Sequence, residues 1–149
     1  MKPKINLIQY DFNILEEAAK SEIRGMGSQF VRLYNHMLKY KYQRNLQSRS
    51  WTDTIKNASK KLSDCSKKAS LWDVATEEYV DRCYISARLK TIDDCVNNYE
   101  KMRLEHEIPS HITAEFAKEE CINLESIKTF CRTYVNTNLP DMVEVVDKM

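Results

Sequence analysis

The stretch Gln29-Phe30-Val31-Arg32-Leu33-Tyr34-Asn35-His36-Met37-Leu38-Lys39-Tyr40-Lys41-Tyr42 decides how this chain is read. Phe30, Leu33, Tyr34, Met37 and Leu38, with Tyr42 beyond, recur at the three- and four-residue steps that build one apolar helix face. The spacing predicts a helix over about 29–45. Upstream, Ile14, Leu15, Ala18, Ala19 and Ile23 form a second such stripe, predicting a helix over 10–24. Gly25-Met26-Gly27-Ser28 lies between the two. Glycine takes the left-handed conformation that ends helices, and Ser28 can cap the next helix, so a break is expected there.

Downstream the pattern continues. Ser50 with Asp53 resembles a capping box ahead of Trp51, Ile55, Ala58, Leu62 and Cys65. Ser66–Ser70 reads as a polar turn, and Ser70 with Asp73 repeats the cap signature. From Leu71 the apolar positions are Val74, Ala75, Tyr79, Cys83 and Ala87, then Ile92, Cys95, Val96, Tyr99 and Met102. Thr91 with Asp94 offers an internal start, so one long helix and two shorter ones are both compatible with this run. Pro109 ends it, because the residue before a proline is steered out of the helical region. A short helix is expected around 113–121. Asn123 caps another at 124–136 with Leu124, Ile127, Phe130, Cys131 and Tyr134, and a terminal one comes after Pro140 with Met142, Val145 and Val146.

Two glycines and three prolines in 149 residues leave too few tight turns for a β-sandwich or barrel. No glycine-rich strand-to-helix turn is present for a Rossmann or P-loop fold. The expectation is all-α: one soluble domain over 1–149, a compact multi-helix bundle of about five to seven helices. No run of apolar residues is long enough to span a membrane, and the N-terminus lacks a secretory pattern. The five cysteines are odd in number, lack CxxC spacing and fall at core positions, as expected of reduced thiols in a cytoplasmic protein.

Net charge is +1, but it is unevenly distributed. Residues 24–68 hold eleven Lys/Arg against Asp53 and Asp64, while 69–149 hold nine basic against sixteen acidic residues. This split has two readings. The basic half presents a surface to an acidic partner, with Tyr40, Tyr42 and Trp51 placed among the charges as stacking on nucleic-acid bases requires. Alternatively the basic half docks on the acidic half inside one bundle. Near-neutral overall charge favours internal docking, since dedicated nucleic-acid domains are usually net basic.

No motif predicts a metal, a cofactor or a catalytic group. His106 and His111 are five apart with Pro109 between them, and with Cys121 they do not make recognisable zinc spacing. Cysteine–histidine pairing is generic here, and Glu16-Glu17, Glu119-Glu120 and Asp93-Asp94 point apart on helices. The densest polar cluster is His36–Gln43 with Arg49-Ser50-Trp51 after it. It reads either as a buried network fixing helix packing or as the lining of a shallow groove.

These residues also carry a resemblance. His36–Gln43, then Arg49-Ser50-Trp51 and Thr54-Ile55, resembles the signature of the bacterial family called domain of unknown function 29. Met26-Gly27 matches its methionine–glycine pair, and Tyr84, Ala87 and Arg88 match its tyrosine-x-x-alanine-arginine stretch. Glu120-Cys121 with Leu124-Glu125 is similar to its C-terminal segment. Tyr40 stands where a tryptophan is usual, Ile122 where a proline is common, and the segment before Met26 is shorter than in most members. The resemblance covers about residues 10–131 and implies a bacterial or phage-related origin and a small helical fold, but no activity.

The leading functional expectation is a non-enzymatic protein-interaction module, a regulator or inhibitor that uses the basic 24–68 face. Arg32, His36, Lys39, Tyr40, Lys41, Gln43, Arg44, Arg49 and Trp51 are its candidate partner-binding residues. The alternatives are nucleic-acid binding by the same face, and an enzyme using His36 with Lys39, Arg49 or Arg88 on a phosphoester.

Overall fold

A computed structural model describes residues 3–43, 49–104 and 114–147. It is all-α. Seven α-helices occur among the described residues: α1 (Pro3–Tyr42), α2 (Arg49–Ser66), α3 (Ala69–Trp72), α4 (Glu77–Leu104), α5 (Ala114–Ile122), α6 (Leu124–Asn138) and α7 (Val143–Asp147). A 3-10 turn at Pro140–Met142 joins the last two.

The expected break at Gly25–Ser28 is absent, and α1 runs through it as one helix. The reason lies across the bundle. A Cβ on Gly27 would stand 2.6 Å from the Tyr79 hydroxyl of α4, and that hydroxyl donates to the Ile23 carbonyl at 2.8 Å. Gly27 therefore provides close approach between helices, where the sequence suggested a helix end. Gly25 has open space around it. Opposite effects are expected from the same substitution. Gly25→Ala should stabilise by up to about 1 kcal/mol through helix propensity. Gly27→Ala should destabilise by about 1–2 kcal/mol as Tyr79 is displaced from its bond. Urea melts of the two variants check the signs.

The upstream stripe also differs from expectation. Ala18 and Ala19 are exposed, and Ile23 is half-buried. The side chains of Ile14 and Leu15 lie outside the described residues. Contacts of α1 with the rest of the bundle are seen from Glu22, 3.8 Å from Lys68, and from Ile23 onward. Alanines bury too little surface to draw a further turn into the core.

From Phe30 the apolar face is buried as the spacing predicts, and Met26, placed in the expected break, is buried with it: Met26, Phe30, Leu33, Tyr34, Met37, Leu38 and Tyr42 are all at most 3% exposed. α2 returns antiparallel, with Trp51 beside Lys39 at one end and Lys68 beside Glu22 at the other. It buries Ile55, Ala58, Ser59 and Leu62. Ser50 lies inside α2, and its carbonyl accepts from Thr54 Oγ1 at 2.8 Å.

α4 starts later than Leu71. Leu71 and Trp72 belong to the four-residue α3, whose N-cap Lys68 makes no side-chain cap bond. Thr76 Oγ1 accepts from the Tyr79 N–H at 3.2 Å and caps α4, while Glu77 and Glu78 favour the positive end of its dipole. The chain then continues as one helix to Leu104. Thr91, the possible internal start, is instead a buried packing residue. Its Oγ1 lies 2.8 Å from the Ala87 carbonyl and 2.9 Å from the Asn35 amide. Both are acceptors, the second being Asn35 Oδ1, so the single Thr91 hydroxyl proton is shared between them.

The sequence separation of paired residues on α1 and α4 is nearly constant. Tyr79 to Ile23 and Thr91 to Asn35 are 56 apart, and Asn98 to Gln43 is 55 apart. The two helices are therefore parallel and in register over about five turns. An aromatic row crosses the interface. Tyr34 stacks on Tyr84 at 4.1 Å, and Phe30 meets Tyr34, Trp72 and Tyr79 at 6.0–6.3 Å. α6 closes the core with Ile127, Cys131 and Val135. Asn123 caps it as expected, its side chain accepting from Ser126 N–H at 3.2 Å. A 2.6 Å pair between Lys128 and Asp81 ties α6 to α4.

Candidate functional site

The predicted site residues separate into two groups. Lys39 turns inward: its Nζ is 3.5 Å from Asp94 of α4 and 4.9 Å above the Trp51 ring, and its side chain is 15% exposed. Tyr40 meets the edge of Tyr134 at 5.9 Å. Lys41 lies over Tyr42 and Phe130, 4.8 and 4.9 Å from their centroids. Gln43 is buried, and its Oε1 accepts from Asn98 Nδ2 at 3.1 Å. Trp51 is half-buried beneath Lys39. These five residues join α1 to α2, α4 and α6. Long stems covering aromatic faces explain how lysines are accommodated there.

His36 is half-buried, with Nδ1 2.8 Å from the Arg32 carbonyl of its own helix. Burial lowers its pKa, and the nearby charges of Lys39, Lys90 and Arg32 lower it further. Arg32 and Arg49 are exposed, and Arg44 lies outside the described residues. The residues of the phosphoester reading are each engaged separately or stand apart. His36 faces the Arg32 carbonyl, Lys39 faces Asp94, Arg88 donates to the Ile122 carbonyl at 2.7 Å, and Arg49 opens α2 in solvent.

Among the thiols, Cys83, Cys95, Cys121 and Cys131 are buried and Cys65 is half-buried, all as free cysteines. Burial pushes Cys83 and Cys95 up to about 11 and Cys121 to about 12. Cys131 is raised further by the same cause, and Cys65 is raised too. The thiolate is the reactive form, so these groups are poor nucleophiles at neutral pH. Native protein at pH 8 should show one slowly accessible thiol, Cys65, to a thiol-reactive dye, and all five only after denaturation. Rapid labelling of two or more in the folded state would contradict this burial. Among the described residues no cluster of three metal-ligating side chains occurs. His106 and His111 lie outside those residues.

Among the solvent-facing cations is a line that runs along α2 and into the turn after it. Arg49, Lys56 and Lys60 are exposed at spacings of seven and four residues, which put them on one side of the helix axis, and exposed Lys67 follows in the turn after Ser66. The part on α2, from Arg49 to Lys60, extends roughly 16 Å at 1.5 Å per residue. The opposite face of α2 is the buried one, so packing orients the cations outward. Beside the line runs a groove of about 390 Å3 between α2 and the α6–α7 connection. Lys56, Lys60 and Lys67 form one wall, and Leu139, Pro140 and Met142 supply an apolar side. Asp64 and Asp141 also border it. In the charge count these lysines are merely members of a basic half. Their helical spacing is the signal that separates them from Lys39 and Lys41.

No helix among the described residues is long and apolar enough to cross a membrane. No curated protein and no solved structure matches the sequence. Residues 9–125 match the family described as Domain of unknown function DUF29, a span that runs from within α1 to the start of α6. It includes the α1–α2–α4 framework that the His36–Trp51 cluster holds together. The chain belongs to the DUF29 family.

Proposed function

We propose that this protein is a non-enzymatic interaction module that binds an acidic surface on a protein partner, in the manner of a regulator or inhibitor. The observation that carries the reading is the outward line Arg49–Lys56–Lys60–Lys67 beside a groove with an apolar side. Charge along a rim steers and orients a partner, and an adjoining apolar strip provides area that leaves water on binding. This keeps the basic 24–68 face as the recognition surface and moves its centre from the His36–Trp51 cluster to α2. Nucleic-acid binding is the second reading, supported by the same line of cations. It is the weaker one because Tyr42 is buried and Tyr40 packs on Tyr134, so these rings do not form an open stacking platform.

The test compares wild type with K56E/K60E/K67E as bait, with captured proteins quantified by mass spectrometry. The variant changes exposed side chains only, and its melting free energy should stay within about 0.5 kcal/mol per substitution. A partner retained by wild type should fall about tenfold or more in the variant, since three reversed rim charges each cost on the order of 0.5 kcal/mol. Binding of labelled DNA or RNA that collapses steeply with salt, with no protein partner lost, would replace this reading with the second one.

A further inference from the structure

A second basic recess lies on another side of the molecule, between α1 and α4. Ser28 and Arg32 of α1 and Tyr79, Arg82, Ser86 and Lys90 of α4 border it above a floor that includes Val31 and Cys83, and it is an open depression of about 540 Å3. That volume is within the range of small-ligand sites. No carboxylate is among its described lining residues. The parallel register of the two helices, 55–56 residues apart, sets Arg32 level with the stretch just after Ser86, between Arg82 and Lys90. Arg82 and Lys90 are themselves about 12 Å apart along α4. Three cations thus succeed one another along one recess with two serines among them.

These cations are weakly engaged within the protein. Arg82 pairs with Glu78 at 2.6 Å, but both side chains are about three-quarters exposed, and such a pair exchanges readily for a stronger anion. Arg32 and Lys90 have no carboxylate within ion-pair distance among the described residues. His36 lies one turn beyond Arg32; burial lowers its pKa, the bond to the Arg32 carbonyl opposes this, and the charges of Lys39, Lys90 and Arg32 add smaller downward contributions.

We propose that this recess binds a soluble di- or oligophosphate anion. Phosphoryl oxygens accept from several donors at once, and guanidinium groups meet them with paired N–H bonds. The spread of the three cations suits two or more linked phosphoryl centres better than a single small anion. The contrast with α2 is geometric. There the cations come from one stretch of chain and Asp64 and Asp141 border the groove, whereas here they come from two helices and no carboxylate is among the described lining residues.

The experiment titrates the full chain with inorganic tripolyphosphate, pyrophosphate and orthophosphate at fixed ionic strength, monitored by amide NMR. Saturable shifts are expected at Ser28, Arg32, Ser86 and Lys90, with tripolyphosphate binding about tenfold or more tightly than orthophosphate. R32Q and K90Q should each weaken tripolyphosphate about fivefold or more without changing the melt of unliganded protein. K56Q/K60Q/K67Q should leave the affinity unchanged. The proposal is overturned if shifts fail to saturate, if α2 lysines respond equally, or if R32Q and K90Q bind as wild type does. Loss of the α2 partner leaves these readouts untouched, so the two proposals fail separately.

Discussion

Tyr34→Ala should lower the unfolding free energy by about 4 kcal/mol, a large share of the roughly 5–15 kcal/mol that holds a domain of this size. Tyr34 is fully buried, stacks on Tyr84 at 4.1 Å with a 23° interplanar angle, and touches Phe30 from the same helix. Its hydroxyl also donates to Tyr84, and burial with that bond pushes its pKa well above the ordinary tyrosine value. Truncation removes the ring from the middle of the α1–α4 interface and strands the Tyr84 hydroxyl. Tyr34→Phe keeps the ring and should lose only about 1–2 kcal/mol. Urea denaturation of both variants gives the comparison. A loss below about 1 kcal/mol for Tyr34→Ala would mean that the two helices are not packed as described.

Lys39→Glu should cost about 2–3 kcal/mol, far above the usual effect of reversing a surface charge. The substitution sets a second carboxylate against Asp94 in a half-buried position, where Lys39 now stands 3.5 Å away. It also removes the cation lying over Trp51. Because Asp94 is 30% exposed, solvent screens part of the repulsion, which keeps the cost below that of a fully buried pair. Adding Asp94→Lys should recover about half of the loss by restoring opposite charges, a coupling that a double-mutant cycle isolates. Equal and additive losses in the two single variants would show that the pair contributes nothing.

Helices whose caps and apolar spacing agree were legible in the sequence. α6 is one, with Asn123 at its start and Ile127 and Cys131 inside. The buried face of α1 from Phe30 to Tyr42 is another. The sequence misleads where one residue type serves two physical roles. Gly27 is the same letter whether it ends a helix or lets Tyr79 approach, and only the partner helix distinguishes them. Thr76 caps α4 through one side-chain bond, a signal hidden behind the Ser70–Asp73 pattern upstream. α3 ends at Trp72, and that interruption had no proline or glycine to mark it.

The candidate surface was legible only in outline. Summed charge located a basic half, but sign alone does not say which way a lysine faces. Lys39 and Lys41 come from α1, whose next-door residues Leu38 and Tyr42 are buried, so their stems are drawn along aromatic rings at the helix junctions. Lys56 and Lys60 come from the far side of α2 from Ile55 and Leu62, and their ammonium groups remain in water. The cations of the α1–α4 recess were harder still. Arg82 and Lys90 lie in the acidic half of the chain, and only the parallel register brings them beside Arg32.

On the proposed function, Lys39 holds the bundle together while Lys56, Lys60 and Lys67 meet the partner. The most direct test of this division of roles measures unfolding free energy and partner capture together for K39E and for K56E/K60E/K67E. K39E should lose about 2–3 kcal/mol, while the triple variant should keep wild-type stability and lose capture about tenfold or more. A triple variant that captures the same partner at wild-type levels, or a K39E protein of unchanged stability, would contradict it.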